Sequence, residues 1–246
     1  MTATDELGRS PEAERFDLSD QHVAFYETFG FLVLRQLFSP EEIGLLIEGF
    51  EEVFATYRAE PLKGNPFHRG RGSEHEDEPR HIIPGFIDKS DKLSWLREDR
   101  RMKAIATRLL GADYEYAESD GNLMHCDVLW HLDAFGTQFV REHIKVYFYL
   151  DPLQAATGAL RVIPGTHFPK GPYANRIRKH LTIDPELVKE TYGVDLDQIP
   201  SYPLEVEPGD VIVGNFRTVH GSFFGAPGRR LFTVNFGARV PHEAAH

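Results

Sequence analysis

One cysteine, Cys126, stands in a chain of 246 residues. A lone thiol cannot close an intramolecular disulfide, nor can it build a thiolate metal cluster. Long apolar runs are missing too. No stretch approaches the roughly 20 residues that span a bilayer, so membrane contact is not expected. The opening MTATDELGRSPEAERFD has neither the basic start nor the apolar core of a secretory signal, and a cytoplasmic protein is expected. Basic residues are scarce: 27 Lys and Arg face 38 Asp and Glu, a formal net charge of -11. Nucleic-acid affinity rests largely on neutralised phosphates, so this sign argues against such a partner. The glycine fingerprint of dinucleotide binding and the P-loop are both absent. Histidine, by contrast, is plentiful, with twelve in the chain, and that directs attention to metal ligands.

The length suits one β-barrel-type domain with decorations, large enough to bury a core without staples. Residues 1–17 are polar, carry Pro11 and lack apolar periodicity, which reads as a disordered tail ahead of a single domain over 18–246. A helix is expected from Ser19, with Val23, Phe25, Tyr26 and Phe29 as its apolar positions and Gly30 as its stop. GFLVLRQLF (30–38) reads as a strand. Ser39, Pro40 and Glu42 then form a helix start: Ser39 can cap, Pro40 fits the first turn and Glu42 completes a capping box. Another helix is expected from Asp99 to Leu110. Glycine and proline break up residues 60–92 into a long polar loop.

From about Tyr114 the pattern becomes β. NLMHCDVLWHLD, HIKVYFYLD, ALRVIPG, DVIVGNF and RRLFTVNFGARV are rich in β-branched and aromatic residues. An insertion at 167–203 holds one expected helix, capped by Asp184, begun by Pro185 and stopped by Gly193. Helices first and strands later imply an α+β protein with a mainly β core, its helices supporting one face of a sandwich or barrel.

Strand side chains alternate faces, so in Trp130-His131-Leu132-Asp133 the imidazole and the carboxylate share one face. They are two ligands of a two-histidine, one-carboxylate facial triad. His220, just past the strand candidate Val211 to Phe216, is the third candidate. Such a centre keeps positions open for a 2-oxo acid and dioxygen. A cosubstrate with a second carboxylate needs a cation at the far end of its pocket, and the arginine fork suits it.

TGALRVIPGTH (157–167) resembles the signature of the phytanoyl-CoA dioxygenase-like family of iron(II)/2-oxoglutarate oxygenases. WHLD (130–133), EPGDVIVGN (207–215), HGS (220–222), RRLFTVNF (229–236) and the N-terminal FYETFGFLVLRQLFSPEEI (25–43) stand around it in the family's order. The resemblance spans residues 18 to 240. It implies a double-stranded β-helix, a jelly-roll or cupin-like barrel, with supporting N-terminal helices. It implies that His131, Asp133 and His220 bind Fe(II), and that an arginine after the distal histidine grips the C5 carboxylate of 2-oxoglutarate. Alternation favours Arg229, which shares a face with Leu231 and Thr233. Arg230 shares one with Phe232 and Val234, an apolar face suited to packing on helices. Ser222 and Tyr147 stand where relatives line the cosubstrate pocket.

The implied reaction oxidises a small-molecule substrate while 2-oxoglutarate and dioxygen become succinate and carbon dioxide. Hydroxylation is the expected outcome, with desaturation, cyclisation or epoxidation as alternatives. Halogenating relatives replace the carboxylate ligand with a small residue, so Asp133 argues against halogenation. His125, six residues before His131, together with Arg141, His143 and Arg80, are substrate candidates. Loop 60–92 and insertion 167–203 form the expected lid. The rival readings are a catalytically inactive β-barrel ligand-binding protein and a metal-dependent oxygenase that does not use 2-oxoglutarate. A monomer or homodimer is expected.

Overall fold

The computed structural model describes residues 16–61, 68–70, 80–134, 141–183 and 186–239. Ser19 caps α1 (Asp20–Phe29), with His22 completing the box, and Gly30 ends it in the left-handed region at φ 84. A Cβ on Gly30 would lie 2.5 Å from the Thr218 hydroxyl, so glycine is required there for space as well as for conformation. After β1 (Phe31–Leu34) comes α2 (Pro40–Thr56). Its capping box is formed: the Glu42 backbone N–H donates to Ser39 Oγ, and the Ser39 N–H donates to the Glu42 carboxylate. Asp99 caps α4 (Arg100–Leu110), which follows the short α3 (Asp91–Ser94).

The expected loop over 60–92 carries short strands among its described residues. β2 (Glu60–Pro61), β3 (His68–Gly70) and β4 (Arg80–Pro84) lie within it. Glycine and proline shorten these strands without abolishing them, because β5 (Tyr114–Met124) and β6 (Cys126–His131) supply partners that local sequence cannot reveal. The remaining strands are β7 (His143–Tyr149), β8 (Leu160–Val162), β9 (Tyr202–Leu204), β10 (Val211–Asn215), β11 (His220–Ser222) and β12 (Arg229–Ala238). They build a larger sheet, β1-β10-β7-β12-β5-β4-β2, and a smaller one, β3-β6-β11-β8-β9. Their pairings are antiparallel. This is the jelly-roll arrangement expected.

Alternation along β7 and β12 sorts the interior. Ile144, Val146, Phe148, Phe232, Val234 and Phe236 face the helices and join Leu46, Phe50 and Ile105 in the main core. Each such buried side chain contributes roughly 1.5–3 kcal/mol. Tyr147, Tyr149 and Leu231 face the other way, into the space between the sheets, with Leu160 and Val162. Phe16 and Leu18 pack on the main core, so the ordered domain begins before residue 18. The rest of the expected tail, residues 1–15, lies outside the described residues.

The 167–203 insertion folds as α5 (Pro172–Arg178), a π turn and α6 (Glu186–Tyr192). Gly193 follows α6 as expected, whereas Asp184 and Pro185 lie outside the described residues. Leu181, Val188 and Ile199 of this segment pack on Leu129, Trp130, Val219 and Phe223. Those residues lie on the outer face of the smaller sheet, which this part buttresses. Among the described residues no helix is long and apolar enough to cross a membrane.

Candidate metal centre

β6 and β11 carry the two histidines to the same point. His220 pairs with His131, and Ser222 pairs with Val128. Two steps along β11 therefore match three along β6, which is a β-bulge. The bulge lets Leu129 and Trp130 both join the outer cluster and turns His131 inward. Beyond β6, the backbone N–H groups of Asp133 and Ala134 donate to Phe216 O at 2.8 and 3.1 Å, which fixes Asp133 beside the turn that leads to His220. His220 opens β11 rather than trailing β10. One ligand atom from each of His131, Asp133 and His220 lies within 4.8 Å of the other two.

The imidazoles are oriented by their own backbone. His131 Nδ1 meets Leu129 O at 2.9 Å and His220 Nδ1 meets Thr218 O at 2.8 Å. A carbonyl only accepts, so Nδ1 carries the proton in each ring and Nε2 keeps its lone pair. His220 Nε2 lies 3.5 Å from Asp133 Oδ2, and His131 Nε2 lies 4.0 Å from Oδ1. Burial, then the neighbouring His220, pushes His131 down to about 3. Burial also lowers His220. Burial alone would raise the Asp133 carboxyl, but Lys145 and the two histidines outweigh it and hold the group well below the usual carboxylate range. Two neutral imidazoles and one carboxylate result, a donor set that suits a divalent transition metal such as iron. The residues present fit the ion that the sequence implied.

Arg229 closes the other end of the same inner face. It is buried, and its Nη1 donates to Gly158 O at 3.0 Å and to Ser222 Oγ at 2.9 Å. Nε donates to Ala226 O at 3.2 Å, and Nη2 donates to Cys126 O. The Ser222 hydroxyl gives its own proton to Gly158 O at 2.8 Å. Two glycines make room for the guanidinium. A Cβ on Gly158 would sit 2.3 Å from Nη1, and one on Gly225 would sit 2.0 Å from Cζ. Arg230 points the other way, to Asp151 and to Glu51 of α2, as alternation required.

Between these ends the cross-strand ladder runs Leu231 with Tyr149, Thr233 with Tyr147 and Asn235 with Lys145. The Tyr147 hydroxyl donates to Asp133 Oδ2 at 3.3 Å. One cavity joins the triad, Tyr147, Ser222 and Arg229. Arg80 lines it too. Its guanidinium donates to Asn122 at 2.6 Å and pairs with Asp120 at 3.2 Å, while Thr233 donates to the other Asp120 oxygen at 2.6 Å.

Three substrate candidates fall elsewhere. His125 is not among the described residues that line the cavity. The six-residue count to His131 assumed an uninterrupted strand, and the bulge moves His125 to the opposite face, where its ring meets His81. Arg141 is held by Glu115 and by Ala238 O. His143 is buried beneath the Phe216 ring and against Gly237. Lys145, Asp120, Asn122 and Thr233 line the cavity without having been anticipated. Lys145 was within reach of the alternation argument, since it shares a face with Tyr147. Thr233 was within reach too, since it shares a face with Arg229, whereas Asp120 and Asn122 depended on β5 lying beside β12.

The family model described as phytanoyl-CoA dioxygenase matches residues 26–224. The chain is 25% identical over 232 residues to the ectoine dioxygenase of Bordetella parapertussis, a match covering 83% of this chain and 70% of that protein. Among solved structures it resembles SnoK, a non-heme alpha ketoglutarate dependent carbocyclase from nogalamycin biosynthesis. The TM-score is 0.68 at 20% identity, over 92% of this chain and 85% of that one. It also resembles HygX from Streptomyces hygroscopicus, solved with nickel, 2-oxoglutarate and hygromycin B. There the TM-score is 0.63 at 17% identity, over 90% of this chain and 88% of that one. At these identities the structural likenesses speak for the fold.

Proposed function

The chain belongs to the phytanoyl-CoA dioxygenase family, and from that premise we propose that His131, Asp133 and His220 hold its iron(II) and that Arg229, with Ser222 beside it, receives the C5 carboxylate of its 2-oxoglutarate. The protein is an iron(II)- and 2-oxoglutarate-dependent dioxygenase. One observation carries the residue assignment. The triad and the Arg229 guanidinium occupy two ends of a single cavity wall, with Tyr147 between them.

What the bound iron supplies is the activation of dioxygen, which no side chain here can perform. The chain's own residues orient and enclose. The backbone carbonyls of Leu129 and Thr218 fix the imidazole tautomers, so metal binding displaces no ring proton. Arg229 offers a guanidinium charge at the buried end, where a carboxylate gains most from it. The Ser222 hydroxyl is turned by Gly158 O and holds that group in place. Tyr147 flanks the cosubstrate and steadies Asp133. Buried Tyr149 and Leu231 limit the entry of water.

The substrate is a small molecule, and hydroxylation is the outcome proposed for it. Two neighbours support a polar small molecule: HygX was solved with hygromycin B, and EctD from S. alaskensis with 5-hydroxyectoine. The Arg80–Asp120 pair in the cavity wall supports it as well. Anaerobic protein mixed with iron(II) and 2-oxoglutarate tests the assignment. A weak visible charge-transfer band is expected. His131→Ala should abolish it, and Arg229→Ala should require far more 2-oxoglutarate to reach it. Folded wild-type protein without such a band would sink the assignment.

A further inference from the structure

We infer that Lys145 tunes the metal centre by sharing Asp133 with the metal, so that the carboxylate grips the ion less strongly than an unshared one would. The inference rests on the ligand assignment proposed above.

Lys145 sits on β7 two residues before Tyr147, on the face turned toward the triad. Its ammonium is 2.9 Å from Asp133 Oδ1. Its side chain is only 16% exposed. The rings of Phe216 and Tyr147 flank the ammonium at 5.4 and 5.8 Å. A lysine enclosed in this way, whose one ion-pair partner among the described residues is Asp133, stays beside that carboxylate when a second cation arrives. Tyr147 takes the other oxygen at 3.3 Å. Both Asp133 oxygens thus already accept a hydrogen bond, one of them from a full positive charge. A facial triad needs two imidazoles and a carboxylate. A buried ammonium on that carboxylate is an addition, and its charge opposes that of the ion.

Outer partners of a ligand alter how strongly it donates to a metal. An ammonium on Asp133 draws electron density away from the ligand. The ferrous state is then harder to oxidise, and a transition that moves charge from iron to a bound 2-oxo acid is shifted to higher energy. In the metal-free protein the same ammonium neutralises a buried carboxylate, an ionised group that is otherwise costly to bury. Lys145 therefore favours the metal-free state and disfavours the loaded one, and removing it should strengthen metal binding.

Full-length wild type, Lys145→Met and Lys145→Arg would be titrated with cobalt(II) by calorimetry, after circular dichroism has confirmed the fold. With the like-charge repulsion removed, Lys145→Met should bind cobalt(II) about tenfold or more tightly than wild type, and Lys145→Arg should stay near wild type. In anaerobic iron(II) and 2-oxoglutarate the charge-transfer band should move to longer wavelength in Lys145→Met and return in Lys145→Arg. If Lys145→Met does not fold, Lys145→Gln replaces it with the same expected directions. Equal or weaker cobalt binding in the apolar variant, or an unmoved band, would overturn the inference, because a lysine that merely props up Asp133 predicts those results. Wild-type protein that binds no cobalt and shows no band would instead remove the ligand assignment itself.

Discussion

Gly225→Ala offers a sharp test of how the cosubstrate end is built. Gly225 is buried in the turn before β12, and its backbone does not need a positive φ, so alanine adds volume without backbone strain. The new Cβ would lie 2.0 Å from Arg229 Cζ. Carbon atoms sit comfortably at about 3.5 Å, so the guanidinium must retreat by roughly 1.5 Å. Nη1 now lies 3.0 Å from Gly158 O and 2.9 Å from Ser222 Oγ. A shift of that size breaks both bonds and moves the fork away from the carboxylate it is proposed to hold. Hydrogen bonds to charged groups contribute about 1.5–3 kcal/mol each. Losing one to two of them, at about 1.4 kcal/mol per tenfold, weakens 2-oxoglutarate binding by roughly 10- to 20,000-fold. The assay is anaerobic titration of 2-oxoglutarate into the iron(II) protein, read at the charge-transfer band, with cobalt(II) affinity as the control. Cobalt binding should hold while 2-oxoglutarate binding collapses. A 2-oxoglutarate affinity within threefold of wild type would refute the reasoning.

Arg230→Ala should leave 2-oxoglutarate affinity unchanged, since Arg230 faces Asp151 and Glu51 on the helix side. These pairs are partly exposed, so its stability cost should stay near ~1 kcal/mol in denaturant unfolding. Arg101→Met should be far more damaging. Arg101 is 1% exposed and donates to both Glu42 and Asp99, and leaving two buried carboxylates unpaired costs about 3–5 kcal/mol, readable by urea unfolding. Asp210→Asn probes acid stability. Burial raises the Asp210 carboxyl, but the backbone N–H groups of Gln36 and Glu207 and the Arg35 guanidinium together bring it below its ordinary value. A folded value below the unfolded one makes its contribution complete above about pH 4 and lost as pH falls through the lower folded value. The difference in melting temperature between wild type and Asp210→Asn should therefore be constant near neutrality and shrink in acid. A difference that grows on acidification would contradict this sign.

Much of the site was legible because its signals are local. Ser39 and Glu42 announced α2 through a box that spans one helical turn. Period-two alternation placed His131 with Asp133 and chose Arg229 over Arg230, since a strand side chain has only two faces to occupy. The same rule failed for His125, where one extra residue in β6 reversed the parity. Nothing in MHCDVLWHLD marks that bulge. It arises because β11 pairs with both β6 and β8 and demands its own register.

By itself the sequence determined the candidate ligand types, the ends of α1, α2 and α4 and, where a strand runs without a bulge, the face on which each residue lies, because these depend on neighbours a few positions away. Only the tertiary structure decided which distant groups meet. It set Lys145 against Asp133, folded Gly158 and Gly225 around Arg229, brought Arg80 to Asp120 and turned the 167–203 insertion onto the outer sheet face. Those contacts follow from strand register and sheet packing, in which residues far apart in the chain compete for the same interior space, and no local period records the outcome.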